Sequence, residues 1–238
     1  VKKIISFSLW GNNFRYLGGA LQNVQLAKIF YPDWICRFYI GSSTNFGFVD
    51  RLSKYDNVEI VEMPESGGWD CSTLWRFYPA AEDDVEFLIS RDADSRLGKR
   101  EKMAVDEWIK SNNDFHIMRD HPFHAVPICA GMWGAKGASI KDIKYMIEEF
   151  KKTKKDVGNQ IYTDQIFLAE IVYPTIKHKA LVHDEFFENK SFPKSSGDRD
   201  ERHFVGQAYD GDGSILDVEK YGKQYYQDFL YETEKIKL

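Results

Sequence analysis

The first 63 residues hold three apolar runs separated by two stretches of helical spacing, and few folds accept that order. Ile4–Leu9 reads as a strand that ends in the turn Trp10–Gly11–Asn12–Asn13. Over Leu17–Phe30, apolar residues recur at 17, 20, 21, 24, 27 and 30, one face of a helix, and Pro32 stops it. Ile35–Ile40 is a second strand, followed by Gly41–Ser42–Ser43 and a short helical stretch to Tyr55. Val58–Met63 is a third strand. A β-α-β-α-β order predicts an α/β domain with a mostly parallel central sheet flanked by helices, of the Rossmann-like kind. In such sheets, ligands bind beyond the carboxyl ends of the strands.

The next strand, Val85–Ser90, ends abruptly in Arg91–Asp92–Ala93–Asp94–Ser95–Arg96. In an extended segment Asp92 and Asp94 share a side, with Ala93 as a small spacer. Two carboxylates at a strand terminus make a seat for a hard divalent cation, Mg²⁺ or Mn²⁺, which completes its shell with phosphate oxygens and water. The bland alternative is a solvated turn in which Arg91 and Arg96 neutralise the acids. Neither a GxxxxGK[ST] loop nor a GxGxxG turn is present to hold phosphates instead.

The remaining segments continue the alternation. Pro64–Gly68 is a loop, Ser72–Ala81 a short helix and Lys99–Ser111 a helix with Met103, Ala104, Trp108 and Ile109 inward. Phe115–Met118 and Ile128–Trp133 read as strands. Ser139 starts a helix with Ile140, Ile143, Met146, Ile147 and Phe150 as its stripe. Thr163 caps a helix over Asp164–Val172 that Pro174 stops. Lys194–Arg202 reads as a polar loop, and Val218–Ile236 as a terminal amphipathic helix.

At 238 residues the chain suits one large domain. The formal net charge is -5, with Lys and Arg scattered, which argues against nucleic acid as a partner. The one basic run, Lys151–Lys155, closes a helix and complements its dipole. No stretch reaches the roughly 18 apolar residues needed to cross a bilayer, and no signal-peptide core opens the sequence. Cys36, Cys71 and Cys129 are odd in number and widely spaced, which suits reduced thiols. A cytoplasmic protein is expected.

Three further places carry functional groups. Arg119–Asp120–His121–Pro122–Phe123–His124 has a zinc-like histidine spacing but no second ligand pair nearby, so a loop lining a polar pocket is the better expectation. Gly131 and Gly134 flank Met132–Trp133, and glycines at a strand end let a ligand reach the backbone. Asp164 and Gln165 open a helix, where a carboxylate either caps or points at the sheet edge. His203, between a polar loop and Phe204–Val205–Gly206, is either a surface residue or a third metal ligand; imidazole would favour Mn²⁺.

Taken in order, these residues resemble the GT-A-fold glycosyltransferases, in particular the small chlorella-virus enzymes and related bacterial proteins. The resemblance is carried by Ser6–Gly11, Tyr31–Trp34, Leu74–Phe77, Ser90–Arg96, His116–Pro122 and Gly131–Gly134, with echoes in Thr163–Gln165 and His203–Gly206. It implies a nucleotide-sugar donor, UDP-linked in most relatives, a divalent cation and an acceptor hydroxyl, as on a glycan. By the resemblance Ser8, Leu9, Trp10 and Tyr16 surround base and ribose. Arg76, Arg91, Asp92, Ala93, Gly131 and Gln165 line the nucleotide or donor sugar. Asp92, Asp94 and His203 hold the metal, and Asp164 is the catalytic carboxylate. The relatives' lysine after the histidine pattern is replaced here by Gln207–Ala208. Residues 1–98 then form a nucleotide-binding half and 99–238 a half for donor sugar and acceptor. The sugar, the linkage and the stereochemistry stay open.

Competing readings are a nucleotide- or carbohydrate-binding module without transfer activity, a sugar nucleotidyltransferase, and a haloacid-dehalogenase-like phosphatase. The last places its Asp-x-Asp on the first strand. The nucleotidyltransferases carry a basic Gly-rich loop after it, unlike Trp10–Asn13.

Overall fold

The computed structural model describes residues 1–64, 72–153, 162–196, 199 and 203–217. The expected terminal helix Val218–Ile236, Cys71, Lys154–Lys155 and most of the loop after Pro64 lie outside them.

Seven strands form one sheet in the order β3-β2-β1-β4-β6-β5-β7. They are β1 (Lys2–Leu9), β2 (Ile35–Gly41), β3 (Val58–Met63), β4 (Val85–Ser90), β5 (Phe115–Arg119), β6 (Trp133–Lys136) and β7 (Ala180–Asp184). β1, β2, β3 and β4 are mutually parallel, as are β5 and β7; β6 runs antiparallel to both its neighbours. The chain leaves β1 toward β2 and β3, then returns to β4 on the other side of β1. The connections therefore diverge at the carboxyl ends of β1 and β4 and open a crevice there.

Alternation along the strands divides the core in two. Ile4, Leu88, Ile117 and Trp133 face a cluster built with Leu74 and Phe77 of the 3₁₀ segment Ser72–Ala81, and with Ile143, Ile147 and Phe150. The last three come from helix α4 (Ile143–Thr153), which follows α1 (Phe14–Phe30), α2 (Phe46–Ser53) and α3 (Lys99–Lys110) in the chain. Ile5, Phe7, Phe87 and Ile89 face the opposite cluster with Ala20 and Val24 of α1 and Trp108 of α3. A sheet covered on both faces explains why these strands read as near-continuous apolar runs.

The structure departs from the expected elements in five places. Residues 128–132 form a turn, not a strand. Its backbone groups bond to side chains: Ser90 Oγ donates to the Ala130 carbonyl at 2.8 Å, and Ala130 N–H donates to Gln165 Oε1 at 2.5 Å. α4 begins at Ile143, because Ser139 spends its hydroxyl on the Lys136 carbonyl in a preceding turn. Pro174 does not end its helix. α5 (Thr163–Phe167) widens into a π-helical stretch, Leu168–Val172, and continues as α6 (Tyr173–Ile176) with Pro174 in its first turn, where a missing N–H costs little. Thr163 is the first residue of α5 and Tyr162 stands at the cap. Strand β7 was not expected. It is short and ends in His183 and Asp184, polar residues paired to His116 (2.8 Å) and Arg119 (2.6 Å) across β5.

α1 packs tightly on the loop after β4. A Cβ on Gly19 would stand 2.0 Å from the Ala93 carbonyl oxygen, a backbone atom that cannot step aside. Gly19→Ala is expected to destabilise the fold by about 1–3 kcal/mol. A thermal melt within about 1 °C of the parent would contradict this packing, since each kcal/mol moves the midpoint roughly 2–4 °C at this size.

Candidate active site

One cavity of about 690 Å³ opens at the carboxyl ends of β1 and β4, a volume suited to a single small ligand or a ligand pair. Ser8, Leu9, Trp10, Tyr16, Arg76, Asp92, Ala93, Asp94, Gly131, Asp164 and Gln165 all line it. Sequence reading therefore assembled residues that lie up to 157 positions apart onto one surface, as far as these are concerned.

The floor is built around Arg76, which is 5% exposed. Its Nη1 donates to Asp92 Oδ1 and, at 3.0 Å, to the Arg91 carbonyl; its Nη2 donates to Asp164 Oδ2 at 2.7 Å. Burial alone would depress the guanidinium pKa, but Asp92 and Asp164 more than offset it and raise it. Asp164 is held above the usual aspartate range, chiefly by burial and with Asp92 adding, while Arg76 opposes. Its second oxygen accepts the Gln165 N–H at 2.9 Å. Ser8 Oγ accepts the Arg76 N–H at 3.1 Å and so ties the 3₁₀ segment to the end of β1.

Asp94 has its own counter-ion. Arg15, in the first turn of α1, reaches Asp94 Oδ2 at 2.5 Å. Burial first and Asp92 second raise the Asp94 pKa, and Arg15 opposes them. Asp92 and Asp94 share the cavity through a turn closed by Ser95, whose N–H and Oγ both donate to the Asp92 carbonyl. Asn23 of α1 clamps that turn. Its amide donates to the carbonyls of Ala93 (3.2 Å) and Ser95 (2.8 Å), and its oxygen accepts the Leu97 N–H.

Two expected site residues stand elsewhere. Arg91 is 1% exposed and turned away from the cavity, bonded to Glu101 in the core beside Tyr31. Arg91 makes no bond to the paired acids, and Arg96 acts on Asp94 only through space, because its guanidinium bonds to Gln22 and to the carbonyls of Ser95 and Asp210. The counter-ions come from α1 and the 3₁₀ segment, remote in sequence. His203 is exposed and does not line the cavity, whereas its neighbours Phe204, Gly206, Gln207 and Ala208 do. Gln165 lines the cavity but gives its amide to the 128–132 turn, at Ala130 and Ile128. The Nδ1 atoms of His121 and His124 each accept a backbone N–H, from Phe123 and Asp120 respectively. The expected pocket-lining loop Arg119–His124 does reach the cavity, through Phe123 and His124, whereas sequence reading missed Arg15, for which helical spacing gives no signal.

Among the described residues no cluster of three or more His, Cys, Asp or Glu side chains forms a ready-made metal centre. The charge balance nonetheless fits a divalent cation. The described lining holds the carboxylates of Asp92, Asp94, Asp164 and Asp217 against the guanidinium groups of Arg15 and Arg76. A cation using one or two carboxylates and ligand oxygens needs no more protein than Asp92 and Asp94.

No protein-family model matches the sequence, and no curated protein does. The fold is similar to that of solved glycosyltransferases of the GT-A type. The glycosyltransferase GlyE of Streptococcus pneumoniae TIGR4 superposes with a TM-score of 0.51 at 10% identity, over 79% of this chain and 46% of that one. A glycosyltransferase involved in glycosylation of the major capsid of PBCV-1 gives 0.48 at 16% identity, over 78% and 82% of the two chains. The galactosyltransferase LgtC gives 0.49 at 16% identity, over 76% and 73%. At such identities the likeness is one of fold, and the GlyE superposition carries it. No helix among the described residues is long and apolar enough to cross a membrane.

Gly131 lies against the Asp92 carboxylate: a Cβ there would stand 2.0 Å from Asp92 Oδ2. The carboxylate that would have to yield is a counter-ion of the buried Arg76. Gly131→Ala is therefore expected to destabilise the fold by about 1–3 kcal/mol. A thermal melt within about 1 °C of the parent would show that Asp92 yields without disturbing the pair.

Proposed function

We propose that this chain is a metal-dependent glycosyltransferase that moves a sugar from a nucleotide-sugar donor, a UDP-sugar by preference, to an acceptor hydroxyl on a glycan. The supporting observation is the Asp92–Arg76–Asp164 chain of ion pairs on the cavity floor. It joins the paired acids after β4 to the acid that opens α5, across 72 residues of sequence, in one crevice. A structural ion pair has no need to lie on a cavity floor beside a second buried acid, Asp94, with its own counter-ion Arg15.

In this reading the β1 end, the Trp10–Asn13 loop and α1 receive the nucleotide, within residues 1–98. Residues 99–238 supply the surfaces for donor sugar and acceptor. Asp92 and Asp94 hold the cation, Mn²⁺ or Mg²⁺, which when bound supplies counter-charge for a diphosphate leaving group. Arg76 orients Asp92 and Asp164. The acceptor hydroxyl oxygen attacks the anomeric carbon, and the nucleoside diphosphate departs with the electron pair of the broken C–O bond. If the reaction inverts, the hydroxyl proton passes to Asp164, whose raised pKa makes it a stronger base than an ordinary aspartate. If it retains, Asp164 holds the sugar through the same carboxylate.

The test is UDP-sugar hydrolysis and thermal stabilisation, each with and without Mn²⁺. Ligand at about 100 times its Kd adds ~2.7 kcal/mol of apparent stability. Stabilisation by UDP-sugar with no turnover under any metal would leave a binding module. Asp94→Ala is expected to abolish the metal dependence of UDP binding, and its persistence would remove Asp94 from the metal.

Asp164→Asn is expected to lower kcat by roughly 10²–10⁴-fold with UDP affinity nearly intact. In the inverting case, activity of the parent needs ionised Asp164. It is lost as pH falls through a value above the ordinary aspartate pKa of about 4. The asparagine variant's residual rate should lack that acidic limb. A full acidic limb in Asp164→Asn would assign it to another group.

A further inference from the structure

The segment 204–211 lines the cavity at Phe204 and at residues 206–208, and its contacts distinguish two ends. Phe204 packs its ring on His121 (centroids 4.4 Å apart) and His124 (5.6 Å). Gly206 lies against Met132, Tyr209 N–H donates to the Asp94 carbonyl at 2.9 Å, and Gly211 touches Phe14 and Gly18 of α1. The end at Tyr209 and α1 holds Arg15 and the paired acids. The end at Phe204 is lined by Phe123, His124, Val126 and Met132.

The chemistry of this second end is distinct. The two basic side chains of the described lining, Arg15 and Arg76, both belong to the ion pairs described above. Arg119 stands behind the second end but is committed to Asp184, Glu188 and the carbonyls of Val126 and Pro127. The wall is therefore largely aromatic and aliphatic; of its polar side chains, Cys129 is a weak donor, Gln207 gives its amide N–H to the Ala208 and Leu216 carbonyls, and His124 remains. His124 Nδ1 accepts the Asp120 N–H at 3.1 Å, which leaves the proton of a neutral ring on Nε2. The ring stays neutral because burial, with His121, Arg199 and Arg119 adding, pushes its pKa down to about 3. Among the described residues Nε2 has no hydrogen-bond acceptor, and the side chain lines the cavity. A fixed N–H donor set in an aromatic wall matches an uncharged sugar ring, which offers an apolar C–H face and hydroxyl oxygens.

We propose that this end is the acceptor subsite, that it takes an uncharged glycoside, and that His124 selects it by donating Nε2–H to one acceptor hydroxyl oxygen. The assignment rests on the transfer reading given above.

The experiment titrates UDP-saturated protein, with Mn²⁺, against a panel of methyl glycosides: gluco, galacto, manno, xylo and fuco, with methyl glucuronoside as the anionic comparison. The parent binds at least one neutral glycoside and binds the glucuronoside more weakly. His124→Asn retains an acceptor for the Asp120 N–H, so the loop keeps its bond, but withdraws the donor from the cavity. Its affinity for that glycoside falls about tenfold or more, as expected when a hydroxyl-recognising group is removed. His124→Gln places an amide N–H near the position of Nε2 and restores affinity to within a few-fold. Parent protein that binds UDP but no neutral glycoside overturns the assignment. So does a His124→Asn variant that binds its glycoside as the parent does, or a preference for the glucuronoside. A parent that binds glycosides but neither UDP nor UDP-sugar overturns the transfer reading instead.

Discussion

A single buried guanidinium, Arg76, organises the site. Burying one charge costs several kcal/mol, and removing a partner from a buried pair costs about 3–5 kcal/mol. Arg76 escapes that cost through Asp92, Asp164 and the Arg91 carbonyl. Its place is fixed by apolar packing on either side. Phe77 stacks on Phe167 of α5 (6.3 Å) and meets Trp133 of β6 edge-on (5.4 Å), while Trp75 meets Trp10 (6.5 Å). The core thus sets the 3₁₀ segment, that segment aims Arg76, and Arg76 positions two acids from distant elements. Pre-set charges of this kind need no rearrangement when a ligand's charge develops.

The sheet around β1 was legible because its strands are buried on both faces and its helix α1 repeats at helical spacing. Each of these patterns is local and long enough to read. What failed was decided by partners. The 128–132 segment is as apolar as a strand, yet Ser90 and Gln165 take its backbone groups and hold it in a turn. β7 carries His183 and Asp184 into the core, which sequence permits only if His116 and Arg119 await them. Pro174 fell at a π-to-α junction, where its missing N–H is tolerated.

At the site the same division holds. Asp92 and Asp94 announced themselves by following an apolar run, and Asp164 by opening a helix. Arg91 and Arg96 were the obvious counter-ions by proximity, but a strand end sends neighbouring side chains to opposite sides. Arg91 went into the core with Glu101, and Arg96 went to Gln22. Their replacements, Arg76 and Arg15, come from segments whose sequence neighbours give no hint of a carboxylate. Helix α1 connects these facts, since it supplies Arg15, the Asn23 clamp and the glycine contact at Ala93.

The charge of the cavity constrains what can enter it. With more carboxylates than guanidinium groups on its described wall, it would repel a diphosphate that arrived alone. Asp94 records that excess, since burial and Asp92 together raise its pKa despite Arg15 at 2.5 Å. An anionic ligand and this wall become compatible when a divalent cation accompanies the ligand, because the cation then attracts both. Arg15 in that case loses part of its claim on Asp94 and becomes available to the incoming anion. The far end, around His124, carries no such excess and makes no such demand. On the proposed reading, an end that takes a cation with its diphosphate and an end that offers a neutral donor serve two substrates of different charge, which is what transfer from an activated sugar to a hydroxyl requires.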